Sequence, residues 1–573
     1  MGYMKGLPQI FWREGEVMKV LIIGGMAAGP KTAARLRRLV PDAEITIVEQ
    51  GEFISFGSCG MPFYLGNLVP QFDSLSATAY GVSRDADFFR NRKDIEVLTG
   101  NRAVSLDRVN KKVRVQKLNS QELYELDYDY LVLTTGAEVV RPNLKGLELP
   151  GVFMMHQPDD ALCLQEYIKT NEAKHVTIIG AGVIGMEMAD ALASRRIKVT
   201  VCEAQQQVLP KLLDPDVARL VAGHLRSQKV DLRLNCQVEA VNAGTNGHVG
   251  GVIANGEEIA TDAVVVAVGV RPRAGLARGA GLEIGATGAI KVDKHMRTSD
   301  PFIFAAGDCA ARYNAINGQE VYIPLASTAN KQGRVAADNI AGLDTEFTAV
   351  IGTTVLQAFE MNIGKTGLSE IEAENRGYNV ISGIVAGNDA PHYYPLHGPV
   401  TIKLIAEKNS GKLLGAQVCG LGDGIKRLDV LGTAIKLGAY LKDVANLDLG
   451  YAPPFAEAID VAVHAANMLE NKRRGFAPGL SFLAIEQMRN EKIDICFLDI
   501  REAGEVKARP LEEVNVLAIP AGELRERYKE IPDDRPVVVI CSAGIRSYDA
   551  VCFLQSVGFK EAAYLEGGIS TWL

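Results

Sequence analysis

Several short apolar runs along this chain end in glycine or an acidic residue and then give way to helical spacing. MKVLIIGGMAAGPKTAARLRRL, from Met18, passes from a strand pattern through glycines straight into a helix pattern. HVTIIGAGVIGMEMADAL, from His175, repeats it. Four more runs read as strands: EITIVE ending at Glu49, KVTVCE ending at Glu203, DYLVLTTGA from Asp129 to Ala137, and TSDPFIFAAGDCA from Thr298 to Ala310. After a charged, Gly/Pro-bearing linker, NKRRGFAPG, two further strands are predicted in FLDIRE (Phe497 to Glu502) and VVVICSAGIRS (Val537 to Ser547). Strands alternating with helices predict an α/β chain.

A strand, a glycine turn and a helix together present a helix N-terminus to a pyrophosphate. In the first copy Gly24 permits the tight turn and Gly29 lets the helix pack close on the strand, while Met26 stands at the middle glycine position. Glu49, 20 positions after Gly29, is where a ribose-binding acid belongs. The second copy is complete, with Gly180, Gly182 and Gly185, and its acid is Glu203, 18 positions after Gly185. No basic residue follows Glu203 until Lys211, and a carboxylate there repels a 2′-phosphate, which predicts NADH over NADPH. Two dinucleotide folds predict two dinucleotides, nicotinamide and flavin. The strands ending at Gly136 and at Gly307 and Asp308 support the flavin, since glycine allows close approach and a carboxylate can accept hydrogen bonds from a ribityl chain.

The segment FISFGSCGMPFY, Phe53 to Tyr64, holds Cys59 three positions before Pro62, ahead of an apolar run suited to a helix. With Pro62 in the first turn, Cys59 lies beside free N–H groups at the positive end of that helix, where a thiol ionises more easily. A buried apolar cysteine is the alternative.

Composition narrows what such a thiol does. At 573 residues the chain is long enough for about four domains of usual size. Apolar content of 47% with 23% charged residues excludes a disordered or fibrous chain. A net charge of −8 argues against a nucleic-acid partner, and no apolar run approaches the roughly 18 residues that span a bilayer. Nine cysteines, scattered without metal-site spacing or a secretory pattern, predict a reducing cytoplasm and no metal. Residues 1–17 read as an extension or a misplaced start, with no function assigned.

GGMAAG, SFGSCG, IGAGVIG with Glu203, FAAGD, and LASTANKQGRVAADNI from Leu325 to Ile340 resemble the motifs of the flavin disulfide reductases. Within that family they are similar to coenzyme A disulfide reductases and persulfide reductases, over about Met18 to Asn471. The resemblance implies FAD on the first fold, NADH on the second, coenzyme A as the small thiol, and a homodimer built through an α+β interface domain. The wider superfamily carries a C-x-x-x-x-C pair, whereas here Ile54 lies five positions before Cys59 and Ser55 four before. The resemblance therefore implies a disulfide formed with a substrate thiol. It also implies tyrosines of the partner subunit over the thiol, carried by HYYP and GYAPPF: Tyr393, with Tyr394 as its substitute, and Tyr451. Arg35 and Arg38, three apart on the first helix, can share a face toward coenzyme A phosphates, and Ser55 and Phe56 complete the expected substrate contacts.

In the tail, Cys541 to Ser547 has the form of an anion-binding nest in which successive N–H groups and Arg546 stabilise a thiolate or persulfide. With Asp499, Arg501 and LEGGISTW (Leu565 to Trp572), it resembles a rhodanese domain, although KARPLEEVNVLAIP stands in place of the usual G-H-I-P-G-A. Expected domains are an FAD-binding domain at 18–140 and 256–344, an NADH-binding domain at 141–255, a dimerisation domain at 345–470 and a rhodanese-like domain at 478–573. The expected activity is NADH-dependent reduction of coenzyme A disulfide, coenzyme A persulfide or polysulfide at Cys59, with Cys541 delivering sulfane sulfur. Alternatives are an NADH oxidase or peroxidase, against which the absence of histidine between Met1 and Gly151 counts, and a non-catalytic redox sensor or sulfur carrier.

Overall fold

The computed structural model describes residues 17–511 and 513–572. The extension read at residues 1–17 lies outside them, apart from Val17. The chain divides into two compact units, one holding residues up to Gly180 with Met188–Thr200 and Gln237–Val350, the other Ala181–Glu187, Val201–Cys236 and everything from Ile351.

The first unit opens with β1 (Lys19–Ile23), α1 (Ala28–Leu39) and β2 (Glu44–Val48), followed by the short α2 (Met61–Leu65), β3 (Glu96–Leu98) and β4 (Tyr130–Leu133). Next come β5 (Val152–Met154) and β6 (His175–Ile179), then α3 (Val183–Ser194) and β7 (Lys198–Cys202), each shared between the two units, and α4 (Pro215–Ser227), which belongs to the second. The first unit closes with β8 (Ala263–Val266), β9 (Ile303–Ala305) and α5 (Ala326–Ile340).

A five-stranded parallel sheet runs in the order β9-β4-β1-β2-β3, so β9 reaches its place from far along the sequence. Its strands are near-continuous apolar runs because they are covered by more than helices: their core takes in Ala33 and Leu36 of α1 and also the buried Val113 and Val115 of a three-stranded antiparallel sheet (Asn101–Asp107, Lys112–Lys117, Leu123–Asp127). Ile22, Ile47 and Leu131 are fully buried, each contributing roughly 1.5–3 kcal/mol. Helices α1 and α5 pack together at small residues: a methyl at Gly333 would lie 2.5 Å from the Ala28 carbonyl oxygen. In the same unit β6, β8 and β5 pair in parallel.

The second unit contains a five-stranded antiparallel sheet built from β10 (Thr354–Ala358), β11 (Met361–Gly367), β12 (Val380–Asn388), β13 (Pro399–Glu407) and β14 (Leu413–Gly420), in the order β10-β11-β14-β13-β12. The one-turn α6 (Glu370–Glu374) precedes β12, and α7 (Gly424–Lys436) and α8 (Val461–Arg473) pack on the sheet. The tail forms a second sheet, all parallel, from β15 (Gly479–Leu480), β16 (Cys496–Asp499), β17 (Val516–Ala518), β18 (Val537–Ile540) and β19 (Ala562–Leu565), in the order β15-β19-β18-β16-β17. Helix α9 (Ile545–Ser556) follows β18 across a short loop. Among the described residues no helix is long and apolar enough to cross a membrane.

Candidate functional site

The first glycine turn is as tight as its sequence demands. Gly24 has φ +114°, and a methyl there would sit 2.1 Å from the Thr134 carbonyl oxygen; one at Gly29 would sit 2.0 Å from that of Gly24. Only glycine fits either place. Glu49 is buried and accepts hydrogen bonds from the N–H groups of Gly25 (2.6 Å) and Gly51 (2.8 Å). Burial pushes its pKa up, and these bonds with the charge of Arg273 pull only part of the way back. A carboxylate offers about four lone-pair positions, so two remain for ribose hydroxyls.

Gly136 has φ +69° and a methyl there would meet no protein atom within 4 Å, leaving room over the main chain. Gly307, at φ +84°, donates its N–H to Gln332 Oε1 at 3.0 Å. Gln332 is fully buried, and its Nε2 has no hydrogen-bond partner among the described residues. An open glycine main chain and an orphaned buried donor in the same unit as the Gly24 turn fit a flavin dinucleotide. Asp308, expected at the ribityl chain, holds the buried Arg312 at 2.9 Å, so part of its acceptor capacity is already engaged.

Cys59 lies in a 3₁₀ turn, Ser58–Gly60, directly before α2, and is exposed, so the alternative of a buried apolar cysteine does not hold. Pro62 occupies the first helical turn as expected, but the helix is only five residues long. Its dipole is correspondingly small, and the adjacent first-turn N–H groups are the larger influence.

The segment is pinned on both sides. Ser55, at φ +53°, donates its N–H to Gly25 O at 2.8 Å, tying the thiol segment to the first nucleotide turn. Gly57 donates to Leu75 O at 2.8 Å, and a methyl at Gly60 would reach 2.3 Å from Leu75 Cδ2. Phe56 is buried against Phe72, centroids 5.0 Å apart, so its ring supports the turn from below. Arg35 gives its Nε to the buried Asp338 of α5 at 2.6 Å, whereas Arg38 is exposed.

At the second turn Gly180 has φ +104° and a methyl there would lie 2.7 Å from Ala267 O; at Gly182 it would meet nothing within 4 Å. Gly185 is buried in the first turn of α3. Glu203, just past β7, is buried and accepts from Ala181 N (2.7 Å) and Gln205 N (2.9 Å). That repeats the arrangement of Glu49 around its own turn.

In the tail, Cys541 follows β18 and is 1% exposed. Gly544, at φ +100°, points its N–H at the sulfur at 3.1 Å. Arg546, expected to stabilise the sulfur, interacts with Cys541 and also sends its two Nη groups to Glu505 at 2.8 and 2.6 Å. Ser542 also donates to Glu505. The Arg546 guanidinium, then burial, then Ser542 act on that carboxyl, with the net effect of lowering it to about 2. Sequence reasoning missed Glu505, which sits on a different element 41 positions before Arg546. Asp499 and Arg501 form a buried pair, with Nη2 to Oδ2 at 2.7 Å, that shapes the strand end.

Tyr393 and Tyr451 are both exposed and hydrogen-bond one another, which raises the Tyr393 phenol above its ordinary value. Tyr394 is half-buried. Among the described residues no group of three or more His, Cys, Asp or Glu side chains is placed to hold a metal ion.

Two dinucleotide turns, with an exposed cysteine hydrogen-bonded through its segment to the first, define a flavoprotein oxidoreductase that works on sulfur. Residues 18–333 match the pyridine nucleotide-disulphide oxidoreductases and 355–463 their dimerisation domain, while 483–573 match the rhodanese-like domain. The chain belongs to the pyridine nucleotide-disulphide oxidoreductase family. It is 36% identical over 457 residues to the NAD(P)H sulfur oxidoreductase (CoA-dependent) of Pyrococcus furiosus, covering 79% of this chain and all of that one. The solved NAD-dependent persulfide reductase from A. fulgidus superposes with a TM-score of 0.93 at 40% identity, covering 97% of this chain and 100% of the other. Reduced Bacillus anthracis CoADR-RHD gives 0.89 at 33%, covering 97% and 98%.

Proposed function

We propose that this chain is an NADH-dependent flavoprotein reductase of coenzyme A disulfide, coenzyme A persulfide or polysulfide, acting as a homodimer in a reducing cytoplasm. The observation that carries the reading is Cys59: exposed, next to the first nucleotide turn, with isoleucine and serine where a second cysteine would stand. The names borne by its relatives, CoA-dependent sulfur oxidoreductase and persulfide reductase, support the substrate class.

Gly24, Gly29, Glu49, Gly136 and Gly307 would hold FAD, which when bound would supply transfer of an electron pair from nicotinamide to sulfur. The Cys59 thiolate attacks the inner sulfur of coenzyme A persulfide, forming a mixed disulfide and releasing hydrogen sulfide. With coenzyme A disulfide the same attack releases one coenzyme A thiolate. Two electrons originating in NADH and two protons then return the mixed disulfide to the Cys59 thiol and coenzyme A. The Tyr393 and Tyr451 phenols, contributed across the dimer, hydrogen-bond the leaving thiolate. Arg38, and the part of Arg35 not held by Asp338, meet coenzyme A phosphates. Glu203 accepts hydrogen bonds from the adenosine ribose and disfavours NADPH.

In the tail, the Cys541 thiolate takes the outer sulfur of a polysulfide, shortening it by one sulfur. Coenzyme A thiolate then takes that sulfur from the Cys541 persulfide, restoring the thiolate and giving coenzyme A persulfide. NADH oxidation with each acceptor, with and without coenzyme A, followed both anaerobically and in air, tests the reading. Turnover with polysulfide that rises on adding coenzyme A supports it; oxygen consumption that accounts for all NADH oxidised, regardless of sulfur acceptor, replaces it with an NADH oxidase.

A further inference from the structure

The closing segment of the tail touches two things at once. Glu566, directly after β19 and 2% exposed, accepts a hydrogen bond from Lys472 Nζ of α8 at 2.6 Å and from the Ile384 N–H of β12 at 3.1 Å. Lys472 also donates to Ser382 O of β12 at 3.0 Å. The antiparallel sheet and its last helix thus grip one carboxylate of the tail domain.

The next two residues, Gly567 (φ +72°) and Gly568 (φ +59°), turn left-handed onto the Cys541 loop. A methyl at Gly568 would lie 2.5 Å from Cys541 O and 2.7 Å from Ala543 N, so this backbone rests directly on the loop. Ile569 N donates to Cys541 O at 2.8 Å, and Ser570 N and Oγ donate to Ser542 O at 3.3 and 2.9 Å. The far end of the segment is held too: Arg219 of α4 donates to Thr571 O and lies 3.6 Å over the Phe482 ring.

We infer that Glu566 is a positioning residue for sulfur transfer at Cys541: clamped by Lys472 and Ile384, it fixes the Gly567–Gly568 turn that holds the loop N–H groups around the sulfur. The inference rests on the sulfur-transfer reading of Cys541. A buried carboxylate with a cation and an amide donor has one low-energy placement, and the two glycines after it pass that placement to the loop.

The test uses the full chain and Glu566→Gln, whose carbonyl oxygen still accepts from Lys472 but whose amide group confronts the Ile384 N–H. Two readouts are taken: sulfur transfer from thiosulfate to cyanide, and the pH dependence of Cys541 alkylation by iodoacetamide, located by mass spectrometry. Expected are a fall of about tenfold in kcat with the donor KM within about twofold, and an alkylation midpoint raised by about one pH unit. Bleaching of the flavin by NADH is expected to be unchanged. Lys472→Met, which keeps the carboxylate and removes its cation, should shift both readouts the same way, and Lys472→Arg should restore them; this pair decides the matter if Glu566→Gln does not fold. Parent-like kcat and alkylation midpoint in Glu566→Gln or Lys472→Met would overturn the inference. If the parent chain transfers no sulfur, the activity reading falls, while the alkylation midpoint still decides the positioning role.

Discussion

Arg546 faces three acceptors, the Cys541 sulfur, the Ser542 hydroxyl and the Glu505 carboxylate, and gives both Nη groups to the carboxylate. The folded-state pKa of Glu505, about 2 against an ordinary 4.5, fixes the sign of a pH effect. The pair stabilises fully above the ordinary carboxylate range and is lost as pH falls from there toward 2. Glu505→Gln should therefore lower the thermal midpoint by the same amount at pH 7 and pH 5, with the gap shrinking at pH 3.5; a gap independent of pH contradicts the pairing. Both glycine fingerprints and their acids were legible in the sequence because a tight turn leaves no choice of residue. Glu505 was not, since its partner comes from another element, and neither was the Asp338 that holds Arg35.

Between elements, Lys403 of β13 is a buried charge in the interior of the second unit. It is 1% exposed and bonds Asp216 of α4 at 2.7 Å and Glu370 of α6 at 2.6 Å, with Asp214 at 3.4 Å. Burial alone would lower its pKa, but the three carboxylates raise it above the ordinary lysine value. Lys403→Met would leave three carboxylates packed without their cation, which should cost about 3–5 kcal/mol, read as a large drop in the urea midpoint. A change below about 1 kcal/mol would mean that the cluster relaxes to water. Nothing in the apolar pattern forecast it, because a lysine inside a strand reads as a solvated position. The strand at Ile303–Ala305 was legible as a strand, whereas its seat beside β4 is a long-range pairing that local pattern does not encode.

For the whole molecule, the antiparallel sheet domain carries large apolar side chains in water: Leu396 at 79%, Leu437 at 81% and Phe455 at 66% exposure, with Tyr393 and Tyr451 exposed as well. A single chain rarely leaves so many uncovered. Sedimentation equilibrium should give twice the mass of one chain at micromolar concentration, and Phe455→Asp should shift it toward one; a parent mass of one chain contradicts the dimer. The order of nucleotide folds, interface domain and tail was readable from motif order and the linker. The clamp of Glu566 between Lys472 and Ile384 was not, since it depends on how the tail seats on the sheet, which no short motif specifies.

The central claim is that one sulfur, at position 59, carries electrons to the substrate. Cys59→Ser, loaded with FAD, should still bleach with NADH in anaerobic stopped flow, yet its turnover with coenzyme A disulfide should fall at least about a thousandfold. Turnover within tenfold of the parent chain would contradict the account.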